Sequence, residues 1–311
     1  LRRLLALILF VTLVFAIVMA AALTLGRAST QYRIVAYTDT GQRTEQDIFV
    51  ADLNRKLRIN LTPSVSFDNN PQWSSDGRSV VFSCTLFNAA TQNAERRLCR
   101  YDIGGAVMRL PIDHDAIQPQ WSSDGSTIQY VHEEESRATE IRLFDVRDQS
   151  DILFVPLAGG YAASTWSPDG QQIAYAELLD MMEAWRIQVR SVENGQFGRL
   201  VAEDFTWISS LTWSPDGGTL ACLCESAESG RLVEHIILID LETMEQTRVL
   251  EVATSGFRPV ITWMPDGIHL LTYNVFAMGK YQTLRLSDGR INFVADLGSG
   301  VTPMMRPDIS Q

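Results

Sequence analysis

The sequence predicts an all-β fold: a six-bladed β-propeller of four-stranded antiparallel blades. Pairing of the N- and C-terminal strands closes it, and one N-terminal transmembrane helix precedes it. Three observations predict this. Trp-x-x-Asp-Gly recurs five times, at Trp73, Trp121, Trp166, Trp213 and Trp263, with intervals of 48, 45, 47 and 50 residues, a period that marks repeat architectures such as propellers. Each copy is followed by a short apolar strand, as in Ser79-Val80-Val81-Phe82 and Gln172-Ile173-Ala174-Tyr175. The two ends of the chain carry strand-like segments that complete one further unit between them.

The first element is the helix. Leu4 to Leu25 is 22 residues without a charge, about 33 Å as a helix against a hydrocarbon core of about 30 Å. A cleavable signal has an apolar region of only about 7–15 residues. Residues 1–28 are therefore assigned to a transmembrane anchor with a short linker, a signal sequence being the alternative, and residues 29–311 to the propeller.

Three strands of the closing blade follow. Arg33–Thr38 reads as a second strand (B), Asp47–Leu53 as a third (C) and Lys56–Leu61 as a fourth (D). Their missing first strand (A) stands at the other end, where Met305-Arg306-Pro307-Asp308 lies 42 residues beyond Trp263 and aligns with Trp-Ser-Pro-Asp. Mixing the termini in one blade leaves no open sheet edge at the ring's seam.

Between them lie five whole units, named blades one to five after their tryptophans. The tryptophan ends strand A. Ser-Pro-Asp-Gly then suits a type I turn, with Pro fixing φ at the second position and Gly at the fourth. Strand B follows, then a variable loop, an alternating strand C such as Thr139–Val146, an outer turn (Gly104-Gly105, Glu193-Asn194-Gly195, Ser287-Asp288-Gly289) and strand D. A large ring once per unit fills the space between wedge-shaped sheets, so the tryptophans and turns are read as structural.

These residues resemble the TolB-type (WD40-like) β-propeller repeat family of bacterial envelope proteins. The resemblance covers roughly residues 33–311, with Ser75 and Ser123 in place of Pro, Met264 in place of Ser and Ile309 where the sixth Gly belongs. The additional amino-terminal domain of TolB is missing, so the resemblance is to the repeat class and not to TolB itself. It implies an extracytoplasmic propeller: a single-pass protein of the cell membrane, its N-terminus cytoplasmic and its propeller in the periplasm or extracellular space.

Composition narrows the function. The net charge of −11, from 26 Lys+Arg and 37 Asp+Glu, argues against nucleic acid, whose phosphates require clustered Lys and Arg. No Gly-x-Ser-x-Gly elbow, phosphate loop or metal-ligand spacing is present, so no catalytic residue, cofactor or metal is assigned and the chain is expected not to be an enzyme. Of the four cysteines, Cys84 and Cys99 flank one hairpin loop and are a candidate disulfide, a pairing that would set Phe82 opposite Tyr101. Cys222 and Cys224 are read as packing residues.

Surface remains. The B–C loops share the top face with the D–A connections and are the least regular part of the repeat, where binding loops are expected. Acidic groups beside apolar ones give a candidate partner surface at Glu133, Glu134, Glu135, Leu178, Leu179, Met181, Met182, Phe276 and Met278. Phe67, His114, Asp115, Tyr161, Trp207 and Phe257 fall on D–A connections and are candidates for the channel mouth. The expected function is a protein-binding scaffold or accessory subunit of an envelope or membrane complex, with protein partners and the bilayer as contacts. The alternative is a propeller lyase, hydrolase or small-ligand sensor acting at the channel mouth.

Overall fold

Alternating apolar residues between tight turns produce strands throughout. The computed structural model describes residues 34–39, 46–52, 57–63, 67–88, 93–133, 139–157, 159–179, 184–193, 198–228, 230–252, 260–273, 280–296 and 304–305. The predicted transmembrane helix lies outside the described residues, among which no helix is long and apolar enough to cross a membrane.

The described strands form six four-stranded sheets, five of them blades of consecutive strands. Blade one holds β4 (Asn69–Trp73), β5 (Ser79–Asn88), β6 (Asn93–Asp102) and β7 (Val107–Arg109); blade two holds β8 (Ile117–Trp121), β9 (Thr127–Glu133), β10 (Thr139–Asp145) and β11 (Asp151–Leu157). Blade three runs β12 (Tyr161–Trp166), β13 (Gln172–Leu179), β14 (Ala184–Ser191) and β15 (Arg199–Phe205). Blade four runs β16 (Trp207–Trp213), β17 (Thr219–Glu228), β18 (Arg231–Asp240) and β19 (Gln246–Val252), and blade five β20 (Val260–Trp263), β21 (His269–Tyr273), β22 (Lys280–Arg285) and β23 (Ile291–Asp296). The remaining sheet joins the chain's ends: β24 (Met304–Met305) pairs antiparallel with β1 (Ile34–Asp39), followed by β2 (Asp47–Asp52) and β3 (Leu57–Asn60). The expectation of six blades counts this mixed sheet as one.

The repeated turn does what its residues dictate. Gly170 N–H donates to the Ser167 carbonyl at 2.9 Å, and Gly217 N–H to that of Ser214 at 2.9 Å. The glycine then adopts φ of +71° at Gly170, the left-handed residue of a four-residue loop between Ser167 and Gln172, whose N–H and carbonyl bond at 2.9 Å. A Cβ on Gly170 would stand 2.7 Å from Ser123 Oγ of the preceding blade, so glycine is needed for space as well as for φ.

The core lies between sheets, not within one. Among the described residues five apolar clusters each join neighbours, from Ile48 with Trp73 and Phe82 at the closing sheet, to Leu223 and Ile236 with Ile261 and Leu270 at blades four and five. The tryptophans are wedges in these seams: Trp213 is buried, and its Nε1 donates to the Thr165 carbonyl of blade three at 3.1 Å. Inner strands β4, β8, β12, β16 and β20 consequently lie side by side around the axis.

Both cysteine pairs are bonded. Cys84 and Cys99 are joined with Cα atoms 5.8 Å apart, but diagonally: β5 and β6 extend to Asn88 and Asn93, which sets Phe82 opposite Cys99 and Cys84 opposite Arg97. The expected register, Phe82 opposite Tyr101, is two residues out because it started the loop at the cysteines. Cys222 and Cys224, expected to be plain packing residues, are also joined. Residues two apart on a strand share a face, and their Cα separation of 5.6 Å is within disulfide reach.

Candidate functional site

The inner strands enclose a central cavity of about 820 Å³. Four of them reach it through β-bulges near their first residues, with register shifts between Asn69 and Gln72, Ile117 and Gln120, Tyr161 and Ala163, and Ile208 and Ser210. A bulge re-aims side chains that a regular strand would alternate. Asn70 and Gln118, at φ of 53° and 52°, are left-handed non-glycine residues at equivalent bulges in blades one and two, and both line the cavity. The Gln118 N–H is held by Ser83 Oγ at 3.0 Å.

The wall is polar and tied across blades. Gln120 Nε2 donates to the Ser164 carbonyl at 2.6 Å, Gln129 Nε2 reaches Ser164 Oγ, and Tyr161 Oη lies 2.8 Å from that same hydroxyl. Burial pushes the Tyr161 phenol up to about 12, so it stays protonated and can donate. Ser210 Oγ and the backbone of Ile261 bond each other at 3.2 Å, joining blades four and five.

One end of the wall carries charge. Trp207 pairs with Glu225, and Glu225 with Glu234, in one row across β16, β17 and β18. Trp207 is 46% exposed and its ring meets Trp185 edge-on at 5.0 Å. Thr206 Oγ1 donates to Glu225 Oε1 at 3.1 Å, and Ser209 Oγ to Glu234 Oε1 at 2.9 Å. Glu234 is 5% exposed. Burial pushes its carboxyl above the ordinary glutamate value; the Ser209 hydrogen bond pulls it down less strongly, and the Glu225 charge adds to the rise. Blade three shows the compensated counterpart: Glu177, equally buried, accepts from Arg186 Nε at 2.8 Å and Nη2 at 2.6 Å.

A second polar cluster sits in the seam between blades one and two. The Tyr130 hydroxyl donates to Asp151 Oδ1 at 2.8 Å, leaving its oxygen to accept from His114 Nε2 at 2.8 Å. His132 Nδ1 donates to the Asp115 carbonyl at 2.8 Å, and the two imidazoles are 4.3 Å apart. Burial, helped by His132, holds His114 below the ordinary histidine range. This is a proton-relay geometry, but among the described residues no serine, threonine or cysteine hydrogen-bonds either histidine. No group of three or more His, Cys, Asp and Glu among the described residues could hold a metal.

The predicted site residues therefore separate. Tyr161 and Trp207 line the cavity. His114 and Asp115 do not: they belong to the seam, where Asp115 binds Arg96 of blade one at 2.9 Å. Phe67 is exposed and sits where a bridge with Gln46 pins its connection to the closing sheet. Glu133 pairs with Arg96 at 2.8 Å, and Leu178 packs against the core between blades three and four, with Leu179 half-buried beside it. Glu134, Glu135, Met181, Met182, Phe257, Phe276 and Met278 lie outside the described residues. The sequence reading missed Glu234, Tyr130 and Asp151. Only Glu234 left a signal, as a carboxylate beside His235 at the head of the apolar run Ile236-Ile237-Leu238-Ile239 of β18.

No protein-family model matches the chain. Over 106 residues, 33% of the chain, it is 23% identical to the "Uncharacterized peptidase YuxL" of Bacillus subtilis (strain 168), a match that spans 16% of that protein. Among solved structures it resembles TolB from Acinetobacter baumannii, with a TM-score of 0.68 and 16% identity over 88% of this chain and 67% of that one. It also resembles a puromycin-hydrolyzing peptidase of Mycobacterium tuberculosis, with a TM-score of 0.59 and 14% identity over 81% of this chain and 43% of that one. The peptidase likeness overturns the expectation that the chain is not an enzyme: the relative it matches in sequence is named a peptidase, and peptidases carry its fold. In fold and repeat the chain is similar to the TolB-type propellers, and it is not TolB itself.

Proposed function

We propose that the chain is a polypeptide-binding propeller, its mixed terminal sheet closing a ring of six blades, whose channel and top rim receive a protein or peptide partner. The observation that carries this is the cavity of about 820 Å³, lined by polar and apolar groups alike, with the half-exposed Trp207 ring and two carboxylates at one end. Ligand sites are concave and combine aromatic walls with a few placed polar groups. Two disulfides and no free cysteine among the described residues suit an oxidising compartment, in keeping with a propeller held outside the cytoplasm by the N-terminal segment and serving an envelope or membrane complex.

The YuxL likeness supports a second reading, in which the same binding surface serves a hydrolase by admitting peptides to a hydrolytic centre. Affinity capture of the full chain from solubilised membranes, followed by peptide-amide turnover assays on the captured material, separates the two. A stoichiometric complex without turnover supports the scaffold. Turnover that follows the chain through purification supports the hydrolase. Recovery of the chain alone, with no turnover and no affinity for any peptide, would overturn both.

A further inference from the structure

We propose that Glu225 and Glu234 form the recognition point of the channel for one positively charged nitrogen group of a polypeptide. That group is a lysine or arginine side chain, or a free N-terminal amine. The inference rests on the reading that the channel receives polypeptide, and it names what the channel selects.

Glu225 and Glu234 are direct cross-strand partners, so both side chains project from the same face, and like charges so placed repel. Elsewhere the molecule answers such a carboxylate with arginine: Glu177 has Arg186, and Asp151 and Glu140 share Arg142. Among the described residues the donors to the Glu225 and Glu234 carboxylates are hydroxyls, with no cation. A nine-tenths buried carboxylate held this way is costly to keep ionised. Both carboxylates line the cavity, so the missing charge has a route in.

The surroundings select the kind of cation. Two carboxylates and two hydroxyls offer at most six oxygens, and only with both carboxylates bidentate, the lower limit of the six to eight that calcium takes. They suit an ammonium or guanidinium, which makes short charge-assisted bonds to carboxylate oxygens. The Trp207 ring, 46% exposed, and Tyr161 of the adjacent blade border the same cavity. Their faces would cover an aliphatic stem and attract the cation above it.

The test uses the full chain and fluorescently labelled alanine pentapeptides followed by polarisation. One peptide has a central lysine and blocked termini, one has norleucine there, and one has a free N-terminus with no lysine. The lysine or the free-amine peptide should bind at least about tenfold more tightly than the norleucine peptide, the scale of a charged hydrogen bond. The stronger of the two identifies the source of the nitrogen. Glu234→Gln and Glu225→Gln should each abolish that preference, while Glu251→Gln, exposed on the outer strand β19 and away from the cavity, should leave it intact. Thermal melts establish that each variant is folded, and Glu→Gln keeps shape and volume. Equal binding of cationic and norleucine peptides overturns this inference alone, as does a preference that survives both substitutions. Calcium chloride alone displacing the lysine peptide through Glu234 would overturn it in favour of a metal. Failure of every peptide to bind would overturn the polypeptide reading and this inference together.

Discussion

The two ends of blade four treat a carboxylate in opposite ways. At the bottom turn, Asp216 accepts from Ser214 Oγ at 2.6 Å and from Gly218 N at 3.1 Å, and these bonds hold its carboxyl below the usual value. Asp76, Asp124 and Asp169 repeat the arrangement, each with its own serine at 2.6 Å. At the top, Glu234 is pushed upward by burial and faces Glu225. The turn supplies its own donors within five residues and can be copied around the ring. The top pair obtains its neighbours from three strands, shortens the distance between like charges and opens on a cavity. Repetition here marks carboxylates that are satisfied internally; the exception marks one poised for an external partner.

The comparison breaks most visibly at the turn glycine. Gly170→Ala forces a left-handed φ on alanine and sets its Cβ 2.7 Å from Ser123 Oγ. It should cost about 2 kcal/mol in urea unfolding. Gly289→Ala, also left-handed but with open space around it, should cost about half as much.

Next, Ser214→Ala removes the hydroxyl that bonds Asp216 and should cost about 1 kcal/mol at neutral pH. Asp216 has a folded pKa below its unfolded one, so its contribution is full above the unfolded value and disappears as pH falls through the folded one. The gap between wild type and Ser214→Ala should therefore narrow on acidification below about pH 3.8, leaving the part owed to the Thr219 N–H that Ser214 Oγ also accepts.

Glu234→Gln tests the opposite sign. Its folded pKa is raised, so the ionised carboxylate penalises the fold at neutral pH and the penalty fades as pH falls through that raised value. The variant should melt about 2 °C higher than wild type at pH 7, and the advantage should vanish at acid pH. Lower thermal stability at pH 7 would count against a frustrated top pair.

The smallest effect belongs to the fifth turn, where Met264 replaces the serine. There Asp266 accepts from His269 Nδ1 at 2.7 Å together with the Ile268 and His269 backbone N–H groups. His269→Ala should cost about 0.5 kcal/mol, less than Ser214→Ala, because the backbone donors remain.

Local patterning accounts for the repeating frame: five tryptophans, five turns and the strands on either side, down to Asp47–Asp52 and Ile34–Asp39 within a residue or two of their predicted limits. Turn chemistry and period-two alternation act over a handful of residues, and the tryptophan period records one wedge per blade. Tertiary structure alone decided which side chains meet. Bulges near Ile117, Tyr161 and Ile208 aim the inner strands' polar groups at the axis, and the continuous β17–β18 register sets Glu225 against Glu234. The seam between blades one and two draws His114 away from the channel to Tyr130 and Asp151. The reason is physical. A one-residue slip in a sheet turns every side chain to the other face, and the interactions that choose the register join residues far apart in the chain, where no local pattern records them.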